Sequence, residues 1–157
     1  MVTHAGGWLF DRAMAGWEVV VLVDETDDRR ALEILGAHVV DLESALASPI
    51  RIPLPQAIAV DSQLYRADAR VRDGIAEVFD YRLIDEVTMW GDGVPYDLEE
   101  RLIPVRHRLS TAARMFKQTA LSAAGARSAP TEPSELFRSR TALSRPQGMR
   151  DLAPVTV

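Results

Sequence analysis

Residues 3–25, THAGGWLFDRAMAGWEVVVLVDE, decide the predicted fold. From Trp8 to Ala15 the apolar residues follow helical spacing, and Gly16 stands where a glycine commonly ends a helix. The segment from Trp17 to Val23 contains an unbroken Val/Leu run, which is typical of a strand buried on both faces of a parallel sheet. The order of helix, glycine and strand therefore predicts an α/β domain.

The same alternation continues along the chain. Further strands are predicted at 38–42, 56–61 and 86–90, and a helix at 62–79 carries an apolar residue at every third or fourth position. Strands alternating with helices favour a small, mainly parallel sheet of about three to four strands, flanked by helices.

A long C-terminal helix is predicted from Pro104, because proline is tolerated in the first turn of a helix. Its buried face would carry the apolar residues Val105, Leu109, Ala112, Phe116 and Ala120. Beyond Gly125 the composition shifts to Ser, Pro, Thr, Ala and Arg, which favours disorder. We therefore expect an α/β domain over 1–124 and a basic, mostly disordered tail over 125–157, with one short helix capped by Ser134.

Composition limits the class of protein. The chain has 157 residues, of which 47% are hydrophobic and 26% are charged, as in ordinary globular proteins. The absence of cysteine excludes disulfides, thiolate metal sites and a cysteine nucleophile. Since no apolar run has the length of a membrane helix and no secretory signal is visible, we expect a cytoplasmic protein. The basic residues are Arg except for Lys117, which indicates a GC-rich bacterial genome.

Charge is divided unevenly along the chain. Residues 1–100 hold 8 Arg and 20 acidic residues, whereas residues 101–157 hold 10 basic and 3 acidic residues. Such asymmetry predicts an anionic partner for the basic half. An acidic protein surface is favoured over nucleic acid, because the basic half lacks a nucleic-acid motif with aromatic support. The candidate partner-binding residues are Arg106, Arg108, Arg114 and Lys117.

The glycine pair Gly6–Gly7 is a candidate phosphate-binding site. The order of glycine pair, helix, AGWEVVVLV and acidic residue resembles the later part of a dinucleotide-binding, Rossmann-like fold. It also resembles the start of glycosyltransferases and deacetylases, over about 20 residues. A first strand and a G-x-G-x-x-G motif are missing, so the alternative is a flexible start that leads into a packed helix.

Aspartates follow the predicted strands. Asp24, Asp61 and Asp92 would lie at the carboxyl ends of strands, where open α/β sheets bind ligands. Carboxylates clustered there bind Mg²⁺, so these three are candidate metal ligands. The alternative is that each aspartate caps a helix or forms a turn.

Three functions follow from these patterns. The leading hypothesis is a non-catalytic interaction or regulatory module, without a cofactor, that binds an acidic protein through its basic helix and tail. The second is a Mg²⁺-dependent phosphoryl-transfer or phosphate-ester enzyme. The third is a truncated relative of a nucleotide-binding enzyme.

Overall fold

Helices and strands alternate along the chain in a computed structural model that describes residues 1–24, 29–47, 54–126, 131–141 and 152–155. These residues belong to two units, Met1–Pro49 with Arg108–Glu135 and Ile50–His107 with Leu136–Val157. The tail predictions for 127–130, 142–151 and 156–157 lie outside the described residues. None of the described helices is long and apolar enough to span a bilayer.

The helices and strands have the following bounds. The helices are α1 (Val2–Met14), α2 (Arg29–Ile34), α3 (Leu42–Ala47), α4 (Ser62–Ala67), α5 (Ala69–Asp80) and α6 (Thr111–Ala123). The strands are β1 (Val20–Val23), β2 (His38–Asp41), β3 (Ala57–Asp61), β4 (Glu86–Trp90), β5 (Ile103–Arg108), β6 (Ser134–Thr141) and β7 (Ala153–Pro154).

The first unit combines a two-stranded sheet with helices. Strands β1 and β2 are parallel, with Val20 opposite His38. Helix α6 packs against α1 and α2. The guanidinium of Arg12 lies 4.7 Å from the Trp8 ring centre and 4.3 Å from that of Trp17, so two indoles stabilise its charge.

The second sheet has five strands in the order β3-β4-β6-β5-β7. Strands β3 and β4 are parallel, but β4 pairs antiparallel with β6, and β5 pairs antiparallel with β7. The α/β class is confirmed, whereas a single, mainly parallel sheet of three to four strands is wrong. The physical reason is that β5 and β6, which the sequence assigned to helix or tail, extend this sheet.

Apolar side chains of α4, α5 and the strands form the core of the second unit. All five residues of β4 are buried, as expected for an interior strand between β3 and β6. Asp68 separates α4 from α5 with an extended backbone, and its carboxylate accepts a hydrogen bond from the N–H of Arg70 at 2.8 Å. The predicted helix over 62–79 is therefore two helices. The buried core residues are Val60, Tyr65, Ile75, Val78, Phe79, Ile84, Val87, Met89, Leu98 and Leu102.

The helix predicted from Pro104 is wrong over its first part. Residues 103–108 form β5, in which Val105 and His107 are buried and the residues beside them are more exposed. Helix α6 begins only after Ser110, whose hydroxyl accepts a hydrogen bond from the N–H of Ala113 at 3.0 Å. Because proline is also tolerated near the start of a strand, Pro104 did not distinguish strand from helix.

The disordered tail is also wrong for residues 134–141, which form β6 between β4 and β5. Glu135, Phe137 and Ser139 alternate on the buried face of this strand. Two of these three residues are polar, so the segment lacks the apolar alternation by which a strand is recognised. Ser139 is paired across the sheet with Thr88, and their hydroxyl oxygens lie 3.0 Å apart.

Candidate functional site

A groove in the second unit is lined by three arginines. It has a volume of about 320 Å³ and is formed by Phe79, Asp80, Arg82, Arg101 and Arg140. We call these five residues the arginine groove. Phe79 and Asp80 end α5, Arg82 lies in the turn after it, Arg101 precedes β5 and Arg140 belongs to β6. Three separate segments of the chain therefore bring their positive charges to one place.

The ring of Phe79 makes cation–π contacts with two of the three guanidiniums. Its ring centre lies 4.5 Å from the guanidinium carbon of Arg140 and 5.5 Å from that of Arg101. The ring is buried, and such cation–π contacts restrict the orientation of both planar groups. Arg140 also donates a hydrogen bond from Nη2 to the carbonyl oxygen of Ile84 at 3.2 Å.

The groove has an excess of positive charge. Arg101 donates to the Asp80 carboxylate at 3.0 Å, in an ion pair whose side chains are 47% and 59% exposed. Among the ion pairs that the described residues form, none involves Arg82 or Arg140. Burial lowers the pKa of Arg140, and the charges of Arg82 and Arg101 lower it further, whereas Asp85 raises it. Arginine stays protonated despite such shifts, so the groove keeps its charge.

Arg82 has a left-handed backbone conformation, with φ of 51°. It follows the C-cap Tyr81 of α5, and the N–H of Leu83 donates to the carbonyl of Val78 at 3.2 Å. This hydrogen bond is the one that closes a Schellman turn. Helices α1, α2 and α6 end in the same turn, but there the left-handed position is occupied by Gly16, Gly36 and Gly125.

An arginine at this position has an energetic cost. A left-handed conformation costs a residue with a Cβ roughly 1–2 kcal/mol, which glycine avoids. Of the four described helices that end in this turn, α5 has arginine instead of glycine at the left-handed position. That arginine contributes its side chain to the arginine groove. Strain of this kind is an observation from which a functional role can be inferred.

The groove offers hydrogen-bond donors to an anion. A guanidinium presents five N–H donors in a planar fork that fits carboxylate and phosphate oxygens. Arg101 and Arg140 belong to the basic half, from which an anionic partner was predicted, whereas Arg82 lies in the acidic half and was not predicted. The sequence does mark Arg82 as unusual, because the helix before it is not followed by a glycine. The helices before Gly16 and Gly36 are.

The predicted partner-binding residues do not share one helix. Arg106 and Arg108 are exposed residues of β5, and Arg114 is an exposed residue of α6. Lys117 is buried in the first unit, with 4% of its surface exposed. The single basic helix is therefore wrong, because its first part is a strand and its only lysine faces inward.

Lys117 belongs to a buried cluster of polar groups. Its Nζ lies 2.7 Å from the Glu135 carboxylate and 2.6 Å from the carbonyl oxygen of Thr3. The same carboxylate accepts hydrogen bonds of 2.8 Å from the backbone N–H groups of Gly7 and Trp8. This cluster connects α1, α6 and the start of β6, and both charges are balanced within it.

The glycine pair lies inside α1, where the sequence predicted a loop before the helix. A Cβ at Gly7 would come within 2.0 Å of Leu109 Cδ2 and 3.3 Å of Glu135 Oε1. Gly7 thus permits Leu109 and a carboxylate to approach the helix backbone closely. The N–H group of Gly7 that a phosphate would need already donates to Glu135.

The candidate metal ligands have other contacts or belong to different units. Asp61 caps α4: one of its carboxylate oxygens accepts from the N–H of Gln63 at 2.7 Å, and the other from the Trp90 indole at 3.0 Å. Asp92 follows β4 in the same unit, whereas Asp24 is an exposed residue after β1 in the first unit. Within the described ranges, no three His, Asp or Glu residues could hold a metal ion together. The magnesium hypothesis remains a prediction.

Comparison with known proteins adds no relatives. No protein-family model, curated protein or solved structure matches the chain.

Proposed function

We propose that the protein is a non-catalytic binding module that takes up an anionic group of a protein partner in the arginine groove. One observation carries this proposal: Arg82, Arg101 and Arg140 converge from three segments around one groove. Charge-assisted hydrogen bonds from arginine to carboxylate or phosphate are about twice as strong as neutral ones. This retains the partner class predicted from the sequence but moves the binding residues from the basic helix to the groove.

The charge of the whole chain favours a protein partner over nucleic acid. The formal net charge is −5 at pH 7, and Asp80 and Asp85 lie in or beside the groove. A long polyanion binds through many phosphate contacts at once, and surrounding carboxylates would repel it. A single anionic group on a protein surface needs only the groove itself.

Anion titration tests this proposal. Inorganic phosphate, added to the full chain at low ionic strength, should shift the NMR signals of residues 79–83 and 140 in a saturable manner. Arg140→Gln should raise the dissociation constant about tenfold, since one charge-assisted hydrogen bond contributes about 1.4 kcal/mol or more. Arg106→Gln is the matched control, because Arg106 is an exposed arginine outside the groove, and it should change the constant less than twofold. Equal effects of the two variants would contradict the proposal.

A further inference from the structure

We propose that the arginine groove recognises a phosphorylated side chain of the partner, as a phosphate monoester dianion, in preference to a carboxylate. This inference rests on the proposed function and specifies its ligand. It starts from the charge and arrangement of the groove residues.

The charge of the lining matches a dianion. Three arginines and Asp80 give the lining a formal charge of +2, which the neighbouring Asp85 partly offsets at Arg140. A phosphorylated side chain carries a charge of about −1.5 to −2 at pH 7, whereas a Glu or Asp side chain carries only one negative charge. A dianion therefore neutralises the lining residues completely, whereas a carboxylate leaves one of their two net positive charges.

The arrangement of donors also favours phosphate. A phosphate monoester has three strong acceptor oxygens, and the groove has three guanidiniums from separate segments. Arg101 donates one hydrogen bond to the Asp80 carboxylate, and Arg140 donates one to the carbonyl oxygen of Ile84. Each still retains N–H donors for a ligand, because a guanidinium has five.

The aromatic ring in the groove argues against a nucleotide. Proteins that bind single-stranded nucleic acid stack the bases on exposed aromatic rings. Phe79 is the one aromatic residue of the lining, it is 5% exposed, and two guanidiniums already lie over its ring. The groove therefore provides phosphate contacts without a stacking surface for a base.

A variant of Arg82 can distinguish a loss of phosphate recognition from a loss of fold stability. Because its position suits glycine, Arg82→Gly removes a guanidinium while relaxing the backbone. A loss of phosphopeptide binding in this variant cannot be attributed to a destabilised fold. Arg106→Gln again serves as the control outside the groove.

Calorimetric titration with matched peptides tests the inference. The probes are Ac-Gly-Ala-X-Ala-Gly-NH₂ peptides in which X is phosphoserine, serine or glutamate, together with inorganic phosphate and a single-stranded oligonucleotide. We expect the phosphoserine peptide to bind the wild-type chain at least about tenfold more tightly than the serine and glutamate peptides and the oligonucleotide, and at least as tightly as inorganic phosphate. The affinity of the phosphoserine peptide should fall below about pH 6, where the phosphate dianion takes up a proton and becomes a monoanion. Arg82→Gly and Arg140→Gln should each weaken binding about tenfold, and Arg106→Gln should not.

The possible failures are distinguishable. Equal affinity for the phosphoserine and glutamate peptides would overturn the preference for phosphate but leave anion uptake intact. Tighter binding of inorganic phosphate than of the phosphoserine peptide would overturn recognition of a phosphorylated side chain. Tighter, Arg82-dependent binding of the oligonucleotide would overturn the partner class. If no probe binds, both the inference and the proposed function are wrong.

Discussion

Lys117 and Glu135 form an ion pair 2.7 Å long whose side chains are only 5% and 2% exposed. Removing one partner of a buried pair leaves the other charge without its counter-ion, which costs about 3–5 kcal/mol. Lys117→Met should therefore lower the free energy of unfolding by that amount in urea denaturation. Arg114→Ala, at an exposed position of the same helix, should change it by less than about 0.5 kcal/mol. Similar values for the two variants would mean that the buried pair does not form.

The two neighbouring glycines of α1 should differ sharply. Gly7→Ala would place a Cβ 2.0 Å from Leu109 Cδ2, and such overpacking costs about 1–3 kcal/mol or more. Gly6→Ala meets its nearest atoms, in Val2 and Leu35, at 3.2 and 3.3 Å. The gain in helix propensity, about 1 kcal/mol, should offset that milder contact. Thermal denaturation of both variants checks this, and a Gly7→Ala protein as stable as Gly6→Ala would contradict the close approach at Gly7.

Phe116 of α6 and Phe137 of β6 differ in burial and should differ in their contribution to stability. The sequence placed Phe116 on a buried face, but its side chain is 45% exposed and stacks on Phe10 with ring centres 4.5 Å apart. Phe116→Ala should cost only about 1–2 kcal/mol, mostly the stacking contribution. Phe137→Ala, which empties a position that is 4% exposed, should cost about 3–5 kcal/mol. A larger cost for Phe116→Ala than for Phe137→Ala would favour the buried position that the sequence predicted for Phe116.

Asp68 should titrate at unusually low pH. A side-chain hydrogen bond from Arg70 is the main cause that lowers its pKa from 3.8 to about 2, and the backbone N–H of Arg70 contributes as well. Because the pKa is lower in the folded chain, the carboxylate stabilises the fold above pH 3.8, and this contribution is lost as the pH falls through about 2. Arg70→Ala should raise the pKa measured by NMR titration, but not fully, since the backbone N–H remains. Arg72→Ala should leave it unchanged, and an equal shift in both variants would contradict the assignment to Arg70.

The elements that the sequence predicted well have a local signal. The apolar runs of β1, β3 and β4 and the glycine after α1 gave strands and a helix end close to those observed. Strand pairing was not predictable, because the contacts of β6 with β4 join residues about 50 positions apart. Lys117 was predicted to bind a partner for a similar reason. It contacts Glu135, whose carboxylate accepts from the N–H of Gly7, and neither contact can be read from the local sequence.

The candidate site was only partly predictable. The charge asymmetry pointed to an anionic partner and included Arg101 and Arg140, but not their convergence with Arg82. That convergence depends on the ring of Phe79 and on the turn after α5. Asp61 was a metal candidate by its place at a strand end, yet its oxygens accept hydrogen bonds from Gln63 and Trp90. Both functions of an aspartate give the same sequence pattern.

Arg82→Gly is the sharpest test of an anion site at the arginine groove, when its stability and its phosphate affinity are measured on one sample. Relief of the left-handed conformation should raise the free energy of unfolding by about 1 kcal/mol, while the loss of a guanidinium should weaken inorganic phosphate binding about tenfold. Arg82→Lys, which keeps the charge but not the planar fork, should bind with intermediate affinity. A more stable Arg82→Gly protein that binds phosphate as tightly as the wild-type chain would contradict an anion site at the arginine groove.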